Sequence, residues 1–103
     1  MNSANELMNW FVYMIRADDD SLYTGVTTDV ARRYKEHSGS LRGARYFNGR
    51  KPLDVVYTEP GHSRSSACRR EVEIKKMSRK QKIDLLKLGD THPSQTKEPN
   101  NEN

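Results

Sequence analysis

The sequence has little of what membrane proteins, disulfide-rich secreted domains and zinc-binding domains are built from. Its 103 residues contain one cysteine, Cys68, which excludes an internal disulfide and a cysteine-cluster zinc site. The longest apolar run is Trp10–Ile15, far shorter than the ~18–20 residues of a membrane-spanning helix. Residues 1–8 have neither a cationic start nor an apolar signal core. We therefore expect a cytoplasmic protein that does not associate with membranes.

Apolar residues are scarce as well, which limits the size of the folded core. Hydrophobic residues make up 33% of the chain and charged residues 31%, so loose ends are expected in a chain of this length. Residues 90–103 contain no large apolar side chain, but two prolines and three asparagines. We predict a flexible N-terminus over residues 1–8, one domain over residues 9–89 and a disordered polar tail over residues 90–103.

Positive charge is abundant and unevenly distributed. The chain has 18 Lys and Arg against 14 Asp and Glu, a net charge of +4. Residues 31–82 hold 15 basic and five acidic residues, a net +10, so the remainder carries −6. A segment this basic is either an ordinary solvated surface or a surface that binds nucleic-acid phosphates. Charge alone leaves both interpretations open.

The periodicity of apolar residues and the placement of turn formers predict an α/β domain with the order β-β-α-β-α-α. Residues 39–51 are expected to form a basic loop, and Pro60–Gly61 to end the third strand. The predicted strands are residues 10–15, 22–26 and 53–58, and the predicted helices are residues 30–38, about 64–77 and about 79–88. This pattern indicates a small, mostly antiparallel three-stranded sheet flanked by helices.

The first predicted helix carries an arginine and a histidine beside its apolar stripe. At 100° per residue, Arg33 and His37 lie one turn apart and border the stripe formed by Val30 and Tyr34. They are either amphipathic side chains packed against the core, or an arginine clamp and a histidine at the mouth of a cleft.

The second predicted helix places a carboxylate where the core should be. Glu71 falls in the stripe that contains Ala67 and Ile74, and an unpaired carboxylate there is unfavourable. It is therefore expected either to pair with a nearby arginine or to bind a metal ion. We favour the metal ligand.

Tyr13 and Tyr23 lie on the two strands of the predicted hairpin, which can bring them together on one face. With them, the chain resembles the GIY-YIG nuclease domain, in particular its small stand-alone bacterial branch. The resemblance spans about Trp10 to Leu88, and in the family triplets Phe11 and Thr24 replace a glycine and an isoleucine. The motifs that carry it are Phe11-Val12-Tyr13, Tyr23-Thr24-Gly25, the segment Thr27–His37 with Arg33 and His37, and the later Glu71.

This resemblance implies a divalent-metal-dependent DNA endonuclease of low sequence specificity that acts on single-stranded or structured DNA in repair, recombination or uptake. Glu71 would bind one Mg²⁺ or Mn²⁺, while Gly25 and Thr27 would be structural. Arg33 and the metal are expected to lower the pKa of Tyr13, the favoured general base, although His37 is the better base by its ordinary pKa. The implied catalytic residues are Tyr13, Tyr23, Arg33, His37 and Glu71.

The basic loop alternates cations with aromatic rings, a combination that suits phosphates and unstacked bases. The alternative is a mobile loop with a hydrophobic anchor. The predicted nucleic-acid-binding residues are Arg32, Arg42, Arg45, Tyr46, Arg50 and Lys75.

Two other functions stay open at this point. The first alternative to the metal-dependent endonuclease is a non-catalytic nucleic-acid-binding module that kept the fold. The second is a nuclease subunit that needs a protein partner for specificity. The presence of Tyr13, Arg33 and Glu71 favours an enzyme over the binding module. We expect a monomer or a weak dimer.

Overall fold

A computed structural model describes residues 7–39 and 45–89. Its elements follow the predicted order, and the predicted fold class is confirmed. Residues 1–6 of the predicted N-terminal segment lie outside the described residues, and so does the whole predicted tail, residues 90–103. None of the described helices is long and apolar enough to cross a membrane. The elements are β1 (Trp10–Ala17), β2 (Leu22–Thr27), α1 (Val30–Gly39), a 3₁₀ turn (Arg45–Phe47), β3 (Pro52–His62), α2 (Arg64–Lys75) and α3 (Arg79–Gly89).

The three strands form one antiparallel sheet in the order β2-β1-β3. The central strand β1 is buried on both faces, in keeping with its run of aromatic and branched side chains. Because successive side chains point to opposite faces, β1 divides its residues between two separate cores. The register places Tyr13 opposite Gly25 and Ile15 opposite Tyr23.

The two faces of the sheet are covered by different elements. On one, which we call the α2 face, Val12, Met14 and Tyr57 pack with Ala67 and Ile74 of α2. On the other, the α1 face, Tyr13, Ile15 and Ala17 pack with Phe47 of the 3₁₀ turn. Val30 and Tyr34 of α1 cover part of this second core.

The third strand is longer than the sequence predicts. Pro60–Gly61 does not end it, because β3 continues to His62, which pairs with Trp10. Pro60 is tolerated since β3 is an edge strand. Gly61 adopts a φ of +80° where the register shifts between Trp10 and Val12, a conformation that glycine accepts without strain.

Serine residues cap the N-termini of the last two helices. Ser63 accepts a hydrogen bond from the Ser66 amide, and the Ser66 hydroxyl accepts one from the Ser63 amide. Ser78 and Gln81 make the same reciprocal pair at α3. Helix α2 ends at Lys75, two residues before the predicted Met77.

Candidate active site

The β1–β2 hairpin brings two tyrosines together on the α1 face. The ring centroids of Tyr13 and Tyr23 lie 6.2 Å apart, so the predicted proximity on one face is confirmed. Tyr13 is 1% exposed, whereas Tyr23 is half-buried. The hairpin therefore holds one phenol inside the core and a second beside it, nearer to solvent.

Gly25 makes room for the Tyr13 ring. The two residues are cross-strand partners, and a Cβ atom on Gly25 would lie 2.6 Å from the Tyr13 hydroxyl and 2.8 Å from Cζ. The phenol therefore lies directly over the β2 backbone, where any larger residue would displace it. A glycine inside a strand often marks a place where another group approaches the backbone closely, and here that group is the Tyr13 ring.

A short turn after β2 sets the start of α1. The Thr27 hydroxyl accepts a hydrogen bond from the Asp29 amide at 3.1 Å. The Asp29 carboxylate in turn accepts one from the Arg32 amide at 3.0 Å, which caps the helix. This turn links the end of β2 to α1, so Thr27 helps to fix how Arg33 and His37 meet the hairpin.

His37 reaches from α1 to the Tyr13 hydroxyl. The distance from Tyr13 Oη to His37 Nε2 is 2.9 Å, and the bond is buried. Burial, reinforced by the positive charge of Arg33, lowers the pKa of His37 to about 4. Because His37 is then neutral at pH 7, Nε2 can accept the hydrogen bond that the Tyr13 hydroxyl donates.

Arg33 acts on the same phenol. Its guanidinium hydrogen-bonds the Tyr13 side chain, and its Nη1 atom donates to Glu36 Oε1 at 2.7 Å. The hydrogen bond to Glu36 is the largest cause of a raised Arg33 pKa, so the cation is secure. The sequence analysis did not identify Glu36, although a spacing of three residues is a recognisable pairing signal.

In the protein alone, the pKa of Tyr13 shifts opposite to the direction expected from Arg33 and a metal ion. Burial and the neighbouring Tyr23 raise the pKa of Tyr13, and together they outweigh the lowering by Arg33. The expectation weighed the positive charge but not the depth at which Gly25 lets the ring sit. Tyr13 is therefore a neutral hydrogen-bond donor at pH 7 rather than a phenolate.

Glu71 differs from its predicted environment. It is not a lone carboxylate in the core, because its Oε2 atom lies 3.0 Å from Lys75 Nζ and its side chain is 21% exposed. Ala67 and Ile74 fill the buried stripe, and Glu71 lies at its margin. Within the described residues, its ion pair is with Lys75 of the same helix rather than with an arginine or with the Tyr13 group.

Comparison with known proteins agrees with this arrangement. The family model of the GIY-YIG catalytic domain matches residues 9–84. The chain belongs to the GIY-YIG family. Its tyrosine pair, helix arginine and histidine therefore lie within a domain of a nuclease superfamily.

The similar proteins belong to the UPF0213 group of this family. UPF0213 protein DP2720 of Desulfotalea psychrophila is 46% identical over 79% of this chain and 74% of its own length. UPF0213 protein YhbQ of Escherichia coli K12 is 44% identical over 78% of this chain and 79% of its own. The solution NMR structure of UPF0213 protein BH0048 from Bacillus halodurans has 44% identity and a TM-score of 0.52, covering 84% of this chain and 90% of that one.

The donor set of this GIY-YIG domain fits a metal ion that is held together with substrate. Among residues 7–39 and 45–89, no group of three or more His, Cys, Asp or Glu side chains could hold a metal. Mg²⁺ needs only one or two protein carboxylates when phosphate oxygens and waters complete its shell. The partly exposed Glu71 carboxylate meets that requirement and is the residue that would hold the ion.

The 3₁₀ turn extends the site with aromatic rings. Phe47 packs 4.8 Å from the His37 ring, and Tyr46 packs 5.1 Å from Tyr23. The Arg50 guanidinium lies 4.2 Å from the Tyr46 ring centroid and donates from Nε to Asp19 at 2.7 Å. The rings are thus fixed by packing in the described part of this loop.

The other predicted nucleic-acid-binding residues lie on several elements, and Lys75 is on α2 of the opposite face. Arg32 and Arg45 are exposed, and Arg32 lies 3.9 Å from Glu36. Lys75 is exposed and paired with Glu71. Arg42 lies outside the described residues. The structure thus brings Tyr13, Tyr23, Arg33 and His37 together, with Tyr46 beside them, while Glu71 lies on a helix of the opposite face.

Proposed function

We propose that the protein is a divalent-metal-dependent endonuclease that hydrolyses phosphodiester bonds of DNA with low sequence specificity. The observation that supports this best is the buried hydrogen bond between Tyr13 and His37, with Arg33 on the same phenol. A proton acceptor and a cation are thereby held next to each other. Phosphodiester hydrolysis requires both, one for the attacking water and one for the charge on phosphorus.

The Tyr13–His37 pair acts as a proton relay in this proposal. At pH 7 the phenol is protonated and the imidazole is neutral, since both pKa shifts favour the uncharged forms. As water attacks phosphorus, Tyr13 Oη takes a proton from the water and passes its own to His37 Nε2. The new P–O bond forms as the bond to the leaving oxygen breaks, and that oxygen takes a proton from solvent. Tyr23, 5.1 Å from the His37 ring, orients the water.

Arg33 holds a non-bridging phosphate oxygen in the proposed reaction. Its side chain is 26% exposed, so one part of the guanidinium faces solvent while another contacts Tyr13. A planar guanidinium can bind phosphate oxygens in a fixed orientation, which an ammonium cannot. It therefore stabilises the negative charge that develops in the transition state.

Glu71 supplies the carboxylate for Mg²⁺ or Mn²⁺. When bound, such an ion polarises a phosphate oxygen and stabilises the leaving oxygen. In the protein alone the carboxylate pairs with Lys75. We propose that Lys75 then turns to a neighbouring phosphate, which matches its predicted role in nucleic-acid binding.

Single-stranded or structured DNA is the proposed substrate. The rings near the site suit unstacked bases, and exposed cations such as Arg32 and Arg45 suit the backbone. We further propose a cytoplasmic protein, monomeric or weakly dimeric, that acts in repair, recombination or uptake of DNA. A protein partner is required for specificity only if the isolated chain fails to cut DNA.

The proton relay is tested by Tyr13→Phe. We expect this variant to lose nearly all turnover while it stays folded, since the ring still packs beneath α1. Tyr57→Phe is the matched control, because it removes a buried hydroxyl from the α2 face. The measurement is cleavage of labelled single-stranded, duplex and branched DNA with Mg²⁺, with Mn²⁺ and with EDTA. A Tyr13→Phe enzyme as active as Tyr57→Phe would refute the relay.

The metal role is tested by Glu71→Gln, with Glu73→Gln as its control. Both variants remove one carboxylate from α2, but Glu73 is 64% exposed and pairs with Arg70. We expect Glu71→Gln to abolish cleavage and to retain DNA binding, and Glu73→Gln to cut normally. Equal cleavage by the two variants at every metal concentration would remove Glu71 from the mechanism.

The same assays separate the two alternative functions. A wild-type chain that binds DNA and cuts none of the three substrates would be a binding module, or a subunit that depends on a partner. Cleavage that appears only after a cell extract is added would indicate the dependent subunit.

A further inference from the structure

A cavity lies beside the candidate active site, between the hairpin turn, the 3₁₀ turn and α3. Its volume is about 330 Å³, near the lower end of the roughly 300–1,000 Å³ of small-molecule sites. The lining combines an aromatic ring, a hydroxyl, an aliphatic side chain and two cations. These residues are Ser21, Leu22, Tyr46, Arg79 and Lys82.

The two cations are on one face of α3. Arg79 and Lys82 are three residues apart, which places them one above the other on a helix. Lys80 points away from them and pairs with Asp84 at 3.2 Å. Arg79 and Lys82 therefore line the cavity, whereas Lys80 forms an ion pair at the surface.

The cavity wall is tied together by contacts between distant parts of the chain. Arg79 Nη1 donates to the Asp20 carbonyl at 3.0 Å, and Nη2 lies 3.2 Å from an Asp20 carboxylate oxygen. Asp20 is the turn residue with a φ of 69°. Arg79 therefore fixes the start of α3 to the hairpin turn, while Lys82 lines the cavity without a recorded ion pair to any described residue.

Tyr23 connects this cavity to the candidate active site. Its ring centroid lies 5.1 Å from that of His37 and 5.1 Å from that of Tyr46. A strand whose phosphate lies at Arg33 and Tyr13 can therefore continue past Tyr23 toward Tyr46.

We propose that this cavity binds one unpaired nucleotide of the DNA strand next to the scissile phosphate. The base packs against Tyr46 and Leu22, and the adjoining phosphate binds Lys82. A base that is still paired and stacked in a duplex cannot reach the ring, so the cavity selects unpaired nucleotides. This inference rests on the proposed function and names the feature of the substrate that the site recognises.

A charge-matched pair of variants tests the phosphate contact. Lys82→Gln and Lys80→Gln remove the same charge from the same helix, but only Lys82 lines the cavity. The probe is fluorescein-labelled oligothymidylate, with binding measured by fluorescence anisotropy in EDTA across a salt series. We expect Lys82→Gln to bind roughly five- to tenfold more weakly at low salt, with a log–log salt slope smaller by about 0.7. Lys80→Gln should match the wild type.

A double-mutant cycle between protein and DNA tests the base contact. Tyr46→Ala should weaken binding by about tenfold, and Tyr46→Phe should restore it, because stacking needs the ring and not the hydroxyl. In a set of oligonucleotides with one abasic position, one placement should weaken wild-type binding by about the same factor. When the protein is the Tyr46→Ala variant, the same abasic placement should cause no further loss of affinity.

Each result bears on the proposal separately from the endonuclease activity. Equal affinities and salt slopes for Lys82→Gln and Lys80→Gln would overturn the nucleotide site even if the wild type cuts DNA. Fully additive effects of Tyr46→Ala and every abasic placement would do the same. A wild type that cuts DNA by the Tyr13 test but binds duplex as tightly as oligothymidylate would also contradict it. Absence of both binding and cleavage would overturn this proposal and the proposed function together.

Discussion

Tyr13 and Tyr57 are buried phenols on opposite faces of one sheet, and they differ in what accepts their hydrogen bond. Burial raises both pKa values, that of Tyr57 to about 12. Tyr57 donates to Glu59 at 2.6 Å, whereas Tyr13 bonds to His37 at 2.9 Å. A carboxylate in an ion pair is a poor proton acceptor, while a neutral imidazole nitrogen can take a proton.

The Glu59 acceptor is fixed by its neighbours on the α2 face. Arg70 Nε lies 3.1 Å from one of its oxygens, and His62 Nε2 lies 2.8 Å from the same oxygen. Burial acts to raise the Glu59 pKa, but hydrogen bonds from Tyr57, His62 and Arg70 leave it lowered. Every partner in this network thus has a permanent role in stability, and none is available to move a proton.

The His37 acceptor on the α1 face is held differently. Rings pack around it, Phe47 at 4.8 Å and Tyr23 at 5.1 Å, and among the described residues it is this imidazole, not a carboxylate, that bonds to the hydroxyl of Tyr13. This arrangement keeps the imidazole neutral and oriented without fixing its proton. The comparison therefore assigns stability to the polar network of the α2 face and chemistry to that of the α1 face.

The largest expected contrast is between two arginine-to-lysine variants, one on each face. Arg33→Lys keeps the charge but loses the planar fork, so we expect at least a ~100-fold loss of turnover, the scale of removing one transition-state donor. Arg70→Lys loses the Nε hydrogen bond that the two Glu59 oxygens share and should cost about 1 kcal/mol of stability. The measurements are single-turnover cleavage and urea unfolding of both variants.

Crossed results would break the comparison between the faces. If Arg70→Lys lowered turnover as much as Arg33→Lys while remaining folded, the α2 face would contribute to chemistry. If Arg33→Lys unfolded at a lower urea concentration than the wild type but kept full turnover, the polar network of the α1 face would be structural.

The next effect in size concerns the space that Gly25 provides for the Tyr13 ring. Gly25→Ala places a methyl group 2.6 Å from the Tyr13 hydroxyl, so the ring must move. We expect a loss of about 2 kcal/mol of stability, typical of overpacking, and loss of cleavage because the bond to His37 breaks. Combining Gly25→Ala with Tyr13→Phe removes the closest contact and should recover part of the stability but none of the activity. Additive unfolding free energies would show that the methyl group clashes with the ring carbons rather than with the hydroxyl.

Local sequence patterns were sufficient to predict which site residues lie close together within one helix or one hairpin. Helical periodicity placed Arg33 and His37 together, and strand alternation placed Tyr13 beside Tyr23. Both rules follow from backbone geometry and need no tertiary information.

Features that depend on tertiary position could not be predicted in this way. Pro60 is compatible with β3 only because that strand lies at the sheet edge. The raised pKa of Tyr13 depends on how deeply the ring is buried, and the position of Glu71 at the margin of the buried stripe depends on how α2 packs on the sheet. The cavity at Tyr46, Arg79 and Lys82 joins segments more than thirty residues apart.

The smallest expected effect is the contribution of His37 to the pH dependence of stability. The folded pKa of His37 is lowered to about 4, below the value near 6.5 expected for an unfolded chain. Between these values the unfolded state binds more protons, so the stability from this residue is fully present above pH 6.5. It is lost as the pH falls toward 4.

We expect about 1.5 kcal/mol to be lost over this window, because water that enters beside a charged imidazole reduces the full cost of its burial. The measurement is urea unfolding of the wild type and of His37→Gln at several pH values from 4 to 7. The difference between the two curves should rise with pH and level off above 6.5. A flat difference would mean that His37 stays charged or solvated in the fold, and the relay would then lose the neutral acceptor on which it depends.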